Sequence, residues 1–245
     1  MAKKNTTRKN KEKARPGFVP RWLRRAAFLV AAIIAVPIFL VPVYAIVPPV
    51  STLMLKDLVT LNGYSRNWVS LDDVSDRAVH SIMMSEDARH CAHNGVDWIE
   101  MKKAFDSIRE GGRGRGASTI TMQTVKNLFL WNSRSFVRKG LELPLALYAD
   151  LVWSKRRTLE IYLNIAEWDK HVYGIDAAAR HYFNIPASKL NRVQSARLAV
   201  TLPNPQARNP ARPTSGLRRL SRTIVKRTDA AGAFVGCLKK DRKTT

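Results

Sequence analysis

Residues 26–47 read AAFLVAAIIAVPIFLVPVYAIV, an apolar run without a single charged side chain. As an α-helix this run would be about 33 Å long, close to the roughly 30 Å hydrocarbon core of a bilayer. Pro37 and Pro42 lie inside it, and spanning helices tolerate proline when neighbouring groups satisfy the freed carbonyls. The run therefore predicts one transmembrane helix, ended by Pro48 and Pro49. A cleaved signal peptide is the alternative, but its apolar region is usually only about 7 to 15 residues long.

The positive charge of the chain is concentrated at its two ends. The 245 residues include 42 Lys and Arg against 19 Asp and Glu, a formal net charge of +23. Residues 1–25 hold ten cationic side chains and one acidic one, and residues 206–245 hold eleven and two. Cationic flanks tend to stay in the cytoplasm, so we expect a single-pass protein of the inner membrane with its domain on the outer, periplasmic side. A nucleic-acid-binding arm is the competing interpretation, which the adjoining membrane span weakens.

Charge and hydropathy divide the chain into four parts. They are a basic cytoplasmic tail at 1–25, a transmembrane helix at 26–47, a folded domain at 51–205 and a basic C-terminal tail at 206–245. Cys91 and Cys237 are too few for a disulfide scaffold or a multi-cysteine zinc site. Their spacing leaves open whether they pair.

The folded domain is predicted to be all-α, because apolar residues recur at three- and four-residue intervals from residue 74 onward. Ser75 and Asp97 are suitable N-caps for two of its helices. Behind Asp97, the side chains of Ile99, Phe105 and Ile108 are expected to face the core.

Glycines and prolines mark where the remaining helices begin and end. Four glycines within residues 111–116 predict a mobile loop, after which Ser118 is the expected N-cap of a helix that ends near Trp131. Further helices are predicted at 136–153, 158–167, 175–183 and 191–202, with a helical tail beyond Pro213.

The stretch SEDARHCAHNGVD at residues 85–97 places several titratable groups at the junction of two predicted helices. Glu86 is ionised at neutral pH and can serve as a general base. Taken alone, a Glu-Asp pair at a helix end is more often a solvated terminus. His93 with Cys91 suggests a metal site or a cysteine nucleophile, but no second Cys or His cluster at ligand spacing supports it, and we expect no protein-bound metal there.

The stretch GASTITMQTVKN at residues 116–127 predicts a helix with one polar stripe. At 100° per residue, Thr119, Gln123 and Lys126 lie within about 60° of one another. A hydroxyl, an amide and an ammonium in a row, behind a glycine loop, are suited to a phosphorylated or sugar-bearing ligand. An ordinary amphipathic helix is the plainer alternative.

Two further stretches combine cations with glutamates. In RKGLE at residues 138–142, Arg138 and Glu142 are i and i+4 neighbours, which suits either a weak surface ion pair or a site where Arg138 and Lys139 neutralise a diphosphate. In KRRTLEIYLN at residues 155–164, one face carries the polar groups of Arg157, Glu160 and Asn164. We expect that face to be a buried network that braces the site helices.

These four stretches, in this order and behind one apolar helix, resemble the bacterial peptidoglycan glycosyltransferases, specifically the monofunctional biosynthetic transglycosylases. The likeness covers residues 71–205 and is carried by matching residues in each motif: Glu86, Asp87, His93, Gly95 and Asp97; Gly116, Ser118, Thr119, Ile120, Gln123, Lys126 and Asn127; Arg138, Lys139 and Glu142; and residues 160–164. Two positions depart from the family pattern. His90 stands where the family usually has Phe, and Met122 replaces the first Gln of a pair, at the margin of the polar stripe. We expect these departures to tune activity rather than abolish it.

The resemblance implies a lysozyme-like helical head with a small membrane-apposed jaw. It implies polymerisation of lipid II into β-1,4-linked glycan strands, in which Glu86 and Glu142 are catalytic. Substrate would be bound by Asp87, His93, Ser118, Thr119, Gln123, Lys126, Arg138 and Lys139. A divalent cation, Mg²⁺ or Mn²⁺, is the only cofactor it suggests. The implied partners are lipid II, the growing undecaprenyl-diphosphate-linked strand, membrane lipids and other cell-wall synthesis proteins, without nucleic acid.

Other functions fit parts of the sequence. A muramidase or lytic transglycosylase would share the fold and one acidic Glu, but needs no cations for a diphosphate. A non-enzymatic basic membrane adaptor explains the charged ends and leaves the four motifs without a role. A bifunctional penicillin-binding protein is excluded, because the sequence contains no Ser-x-x-Lys and has no room for a transpeptidase domain after Pro205.

Overall fold

The computed structural model describes residues 20–112, 116–131, 133 and 135–239. Residues 113–115 of the predicted glycine loop, the N-terminal basic tail up to residue 19, positions 132 and 134 and residues 240–245 lie outside the described residues. The chain divides into two compact units between Ile38 and Phe39.

Helix α1, Arg21–Tyr44, carries the predicted membrane span. At 24 residues it is long and apolar enough to cross a bilayer, and the side chains of Phe28, Ile33 and Phe39 are largely exposed. Its bounds differ from the predicted 26–47 because the helix takes in the preceding arginines and ends before the Pro-Pro pair. Pro37 and Pro42 remain inside it, as predicted.

The second unit is mostly helical, which confirms the all-α prediction. Its first helices are α2 at Thr52–Val59, α3 at Asp76–Glu86, α4 at Trp98–Arg109 and α5 at Ile120–Phe129. They are followed by α6 at Phe136–Val152, α7 at Lys155–Ile165, α8 at Ile175–Phe183, α9 at Arg192–Thr201 and α10 at Ser215–Asp229. Ser75 and Asp97 cap α3 and α4 as predicted.

Three very short strands form a small sheet. They are β1 at Ser65–Arg66, β2 at Glu167–Asp169 and β3 at Val172–Tyr173, in the order β1-β3-β2. Strand β1 pairs parallel to β3, and β2 pairs antiparallel to it with an irregular register. The residues after 165 thus form a hairpin, which is why α7 ends two residues earlier than predicted.

Helix α7 joins the two hydrophobic clusters of the second unit. Leu159 and Leu163 on one side pack into a cluster with α3, α8, α9 and α10, and Ile161 and Ile165 on the other side pack into a cluster with α5 and α6. Because α10 contributes the buried Leu217 to the first cluster, it is a packed part of this unit.

Helix α4 contradicts the prediction that Ile99, Phe105 and Ile108 face a core. Their exposed fractions are 52%, 61% and 60%, and none of the residues of α4, all of which the structure describes, is buried. Met101 of α4 packs against the second cluster, whereas the other three side chains stay largely exposed among the described residues.

Candidate active site

Glu86 lies in the last turn of α3, and its side chain contacts α5. Its Oε2 accepts a hydrogen bond of 3.0 Å from the side-chain amide of Gln123. The phenol of Tyr162, from the fully buried side of α7, donates to the Gln123 carbonyl oxygen at 3.1 Å. This second bond fixes the amide with its NH₂ toward the carboxylate. Three helices thereby hold one carboxyl group in a set position.

The pKa of Glu86 is raised from its ordinary value. Burial is the main cause, and the hydrogen bond from Gln123 and the charges of Lys126 and Arg208 counteract it in part. A carboxyl whose pKa is moved toward neutrality is a better proton acceptor than an ordinary surface glutamate, because its conjugate acid is weaker. The position therefore suits a general base.

Asp87, the next residue, points into the protein, and other protein groups make the hydrogen bonds of its carboxylate. It accepts bonds from the imidazole of His93 at 3.0 Å and from the backbone N–H of Ile120 at 3.0 Å, and His90 Nδ1 lies 3.4 Å away. Burial alone would raise the pKa of Asp87, but the two histidines outweigh it and hold that pKa far below its usual range. Asp87 and His93 thus lie beneath the site surface, and their predicted contact with substrate stays a prediction.

Thr119 corrects two expectations about α5. Thr119, not Ser118, is the N-cap: its hydroxyl accepts from the N–H of Met122 and donates to the carbonyl of Gly95 at 2.5 Å. Thr119 is buried and makes both bonds within the protein. The polar stripe that remains accessible therefore consists of the half-buried Gln123 and Lys126. Met122 is completely buried in the second cluster rather than at the margin of the stripe. The helix is rotated relative to the predicted wheel because its first turn is anchored to the loop at Gly95.

A cationic cluster from α5 and α6 lies beside Glu86. Lys126 interacts electrostatically with both Glu86 and Arg138. Burial and the charge of Arg138 together lower the pKa of Lys126. Glu142, which is buried, pairs with both Arg138 and Lys139, the latter at 2.9 Å. Lys139 also donates to Ser118 Oγ at 2.6 Å. Although Glu142 pairs with it, burial, then Arg138 and Lys126, lower the pKa of Lys139 to about 8.

The cationic cluster does not fit the divalent cation that the resemblance suggests. Both carboxylate oxygens of Glu142 are engaged by Arg138 and Lys139, and Lys126 adds a third positive charge nearby. Like charges would repel Mg²⁺ or Mn²⁺ here. The same arrangement is suited to an anion with several negative oxygens, such as a diphosphate.

The fourth stretch braces neighbouring segments of the chain. Arg157 pairs with Glu160 and donates to the backbone carbonyls of Tyr44 and Val47. The Asn164 amide bonds both ways with the backbone of Val69, at 2.9 and 2.8 Å. These contacts form a polar network as predicted, but it is only partly buried, and it fixes the segments before α2 and α3 rather than the site helices themselves.

Three features of the site region were not predicted. Tyr162 lies inside the fourth stretch, but its contact with Gln123 joins residues 39 apart and had no local sequence signal. Arg208, bonded to the carbonyl of Val200 at 2.6 Å, lies close to Glu86 and carried no local sequence signal. Cys91 and Cys237 form a disulfide with a Cα–Cα distance of 5.5 Å, which ties the loop after α3 to the segment after α10.

The fold and this site together define an enzyme that transfers glycosyl groups. The Transglycosylase family model matches residues 54–229. Relatives named biosynthetic peptidoglycan transglycosylase are similar to nearly the whole chain. One from Agrobacterium fabrum is 56% identical over 88% of this chain and 96% of its own length, and one from Mesorhizobium japonicum is 57% identical over 89% and 94%. One from Brucella suis is 55% identical over 83% and 92%. The chain belongs to the family of biosynthetic peptidoglycan transglycosylases.

Proposed function

We propose that this enzyme polymerises lipid II into β-1,4-linked glycan strands, with release of undecaprenyl diphosphate. The observation that carries the proposal is the neighbourhood of Glu86 and Lys126: one carboxylate with a raised pKa next to a cluster of cations. A glycan-cleaving enzyme of similar fold would need the carboxyl group but has no use for the cations. The relatives' names supply the peptidoglycan context.

The proposed reaction is one direct displacement. Glu86 accepts the proton of the 4-hydroxyl of the lipid II glucosamine as that oxygen attacks C1 of the muramic acid at the end of the growing strand. The bond from C1 to the diphosphate oxygen breaks, and its electron pair leaves with the undecaprenyl diphosphate. Attack opposite the leaving group inverts C1 from an α-linked diphosphate to a β-1,4 bond.

The cationic cluster stabilises the negative charge of the leaving diphosphate. The guanidinium of Arg138 and the ammonium groups of Lys126 and Lys139 hold the diphosphate, and Glu142 keeps Arg138 and Lys139 in place. Such preorganised charge is usually the largest single contribution to catalysis, because it stabilises the leaving oxygen as its negative charge develops. Alignment of two bound substrates adds to it.

Membrane attachment follows from the substrates, since both carry lipid tails. Helix α1 supplies the anchor in this proposal, with its N-terminus in the cytoplasm and the enzyme at the outer face of the inner membrane. The exposed apolar side chains of Trp98, Phe105 and Ile108, which lie on one side of α4, are suited to contact with the lipid surface.

The decisive experiment offers lipid II and finished peptidoglycan, separately, to the wild type and to Glu86→Gln. The wild type should lengthen glycan from lipid II and leave peptidoglycan uncut. Glu86→Gln should keep lipid II binding and lose at least about 100-fold in polymerisation rate. Glu100→Gln, at an exposed carboxylate paired with Lys103, is the matched control and should keep the wild-type rate. Normal polymerisation by Glu86→Gln, or glycan cleavage by the wild type, would refute the proposal.

A further inference from the structure

Three buried side chains converge directly behind the catalytic carboxylate. Asp87, His90 and His93 are 7%, 0% and 9% exposed. Each offers one nitrogen or oxygen atom, and these three atoms lie within 4.8 Å of one another. The sequence predicted no metal here, because no second Cys or His cluster at ligand spacing accompanies Cys91 and His93, and the sulfur of Cys91 is committed to the disulfide.

The spacing of these atoms is close to that of metal ligands. His93 Nε2 lies 3.0 and 3.1 Å from the two Asp87 oxygens, and His90 Nδ1 lies 3.4 Å from Asp87 Oδ2. Ligand atoms about 2.0–2.1 Å from a tetrahedral zinc ion are about 3.3 Å apart. The two pairs that include Asp87 therefore already have about this spacing, and all three ligand atoms lie within 4.8 Å of one another.

The hydrogen bonding of His90 points to a cation at this place. Its Nε2 lies 3.2 Å from the backbone carbonyl of Lys155, which can only accept, so Nε2 carries the hydrogen. In a neutral ring Nδ1 is then a bare lone pair, and it faces the carboxylate of Asp87. Two electron-rich atoms at this distance require a positive species between them, which is either a second proton or a metal ion.

The surroundings resemble the outer shell of a metal site. Metal-bound histidines usually donate their other ring N–H to a carbonyl or carboxylate, as His90 does to Lys155. The backbone N–H of Ile120 bonds Asp87 Oδ2 and holds the carboxylate. Two imidazoles and one carboxylate favour zinc and similar transition metals over Mg²⁺ or Ca²⁺.

We propose that Asp87, His90 and His93 bind one zinc-class ion, which fixes the C-terminal end of α3 and thereby positions Glu86. The ion is structural and takes no part in the glycosyl transfer. His90 is the completely buried ligand of the three. This inference does not depend on the substrate proposed above.

The test measures metal in the full-length, detergent-solubilised protein purified without a polyhistidine tag. After chelation and equilibrium dialysis against ZnCl₂, elemental analysis should find about one zinc per chain. His90→Phe keeps a flat aromatic ring without a ligand atom and should weaken zinc binding at least about 10-fold. His181→Gln is the matched control, because His181 is an exposed histidine outside the cluster, and it should bind zinc like the wild type.

A second readout requires no variant. The melting temperature of the wild type should fall after treatment with EDTA and recover with ZnCl₂ but not with MgCl₂. Absence of zinc after dialysis, an unchanged melting temperature, or equal zinc binding by the wild type and His90→Phe would overturn the proposal and leave a proton between His90 and Asp87. None of these measurements involves lipid II, so failure here would leave the proposed function untouched.

Discussion

The amide of Gln123 donates to Glu86 across 3.0 Å while its carbonyl oxygen accepts from Tyr162. Gln123, which is itself held by Tyr162, thus holds the carboxylate of Glu86 in one orientation. The hydrogen bond stabilises the ionised carboxylate and lowers the pKa of Glu86 against the effect of burial.

Removal of this bond should move the pH profile. In Gln123→Leu the pKa of Glu86 rises further, so the acidic limb of kcat/KM should move to higher pH, since the base must be unprotonated. Tyr162→Phe keeps the amide but not its orientation and should give a smaller shift in the same direction. An acidic limb that stays in place in both variants would show that Glu86 is not the group that titrates.

Lys139 should set the alkaline limit of activity. Its pKa of about 8 means that it loses its charge as the pH rises through that value, so binding of a diphosphate weakens above pH 8. Lys139→Arg keeps the charge at all relevant pH values and should move the alkaline limb of kcat/KM upward. An identical alkaline limb in wild type and variant would contradict the assignment.

The disulfide should contribute measurably to stability. Replacement of Cys91 and Cys237 by alanine should lower the free energy of unfolding by about 2–5 kcal/mol, because the bond closes a long loop in the unfolded chain. Urea unfolding with and without reductant measures the effect. Reductant should lower the free energy of unfolding of the wild type and leave that of the double variant unchanged. A wild type with the same stability with and without reductant would argue against the bond.

Gly95 should be intolerant of any side chain. Its φ is +77°, and an added Cβ would lie 2.4 Å from the carbonyl oxygen of Ala146. Gly63 has a similar φ of +64° with open space around it, so Gly63→Ala should cost only the backbone strain of about 1–2 kcal/mol. Gly95→Ala should cost clearly more in urea unfolding, and equal losses in the two variants would disprove the clash.

The apolar face of α4 should matter for membranes rather than for folding. Phe105→Ser with Ile108→Ser should leave the melting temperature nearly unchanged, because both side chains are exposed. Activity on lipid II in vesicles should fall, and Phe234→Ser, at an exposed aromatic residue outside α4, should not reduce it. Equal activity of the double variant and the wild type in vesicles would exclude a membrane role.

Local sequence patterns predicted where the helices begin and end better than they predicted what each helix packs against. The caps at Ser75 and Asp97 and the bounds of α8 were readable, because capping and periodicity act within a few residues. The orientation of α4 was not, since a helical pattern shows that an apolar face exists but not what covers it. Thr119 was placed on the wrong side because its contact with Gly95 joins residues 24 apart. The Cys91–Cys237 pair and Arg208 depend on longer separations still.

The bond between Cys91 and Cys237 also imposes an order on biogenesis. During synthesis Cys91 is made 146 residues before Cys237. The intervening helices are therefore made before the bond can form. Until then Cys91 remains a free thiol. Because the chain has only two cysteines, it can form only one internal pair, and that bond locks the loop after α3 only when the end of the folded unit has been made.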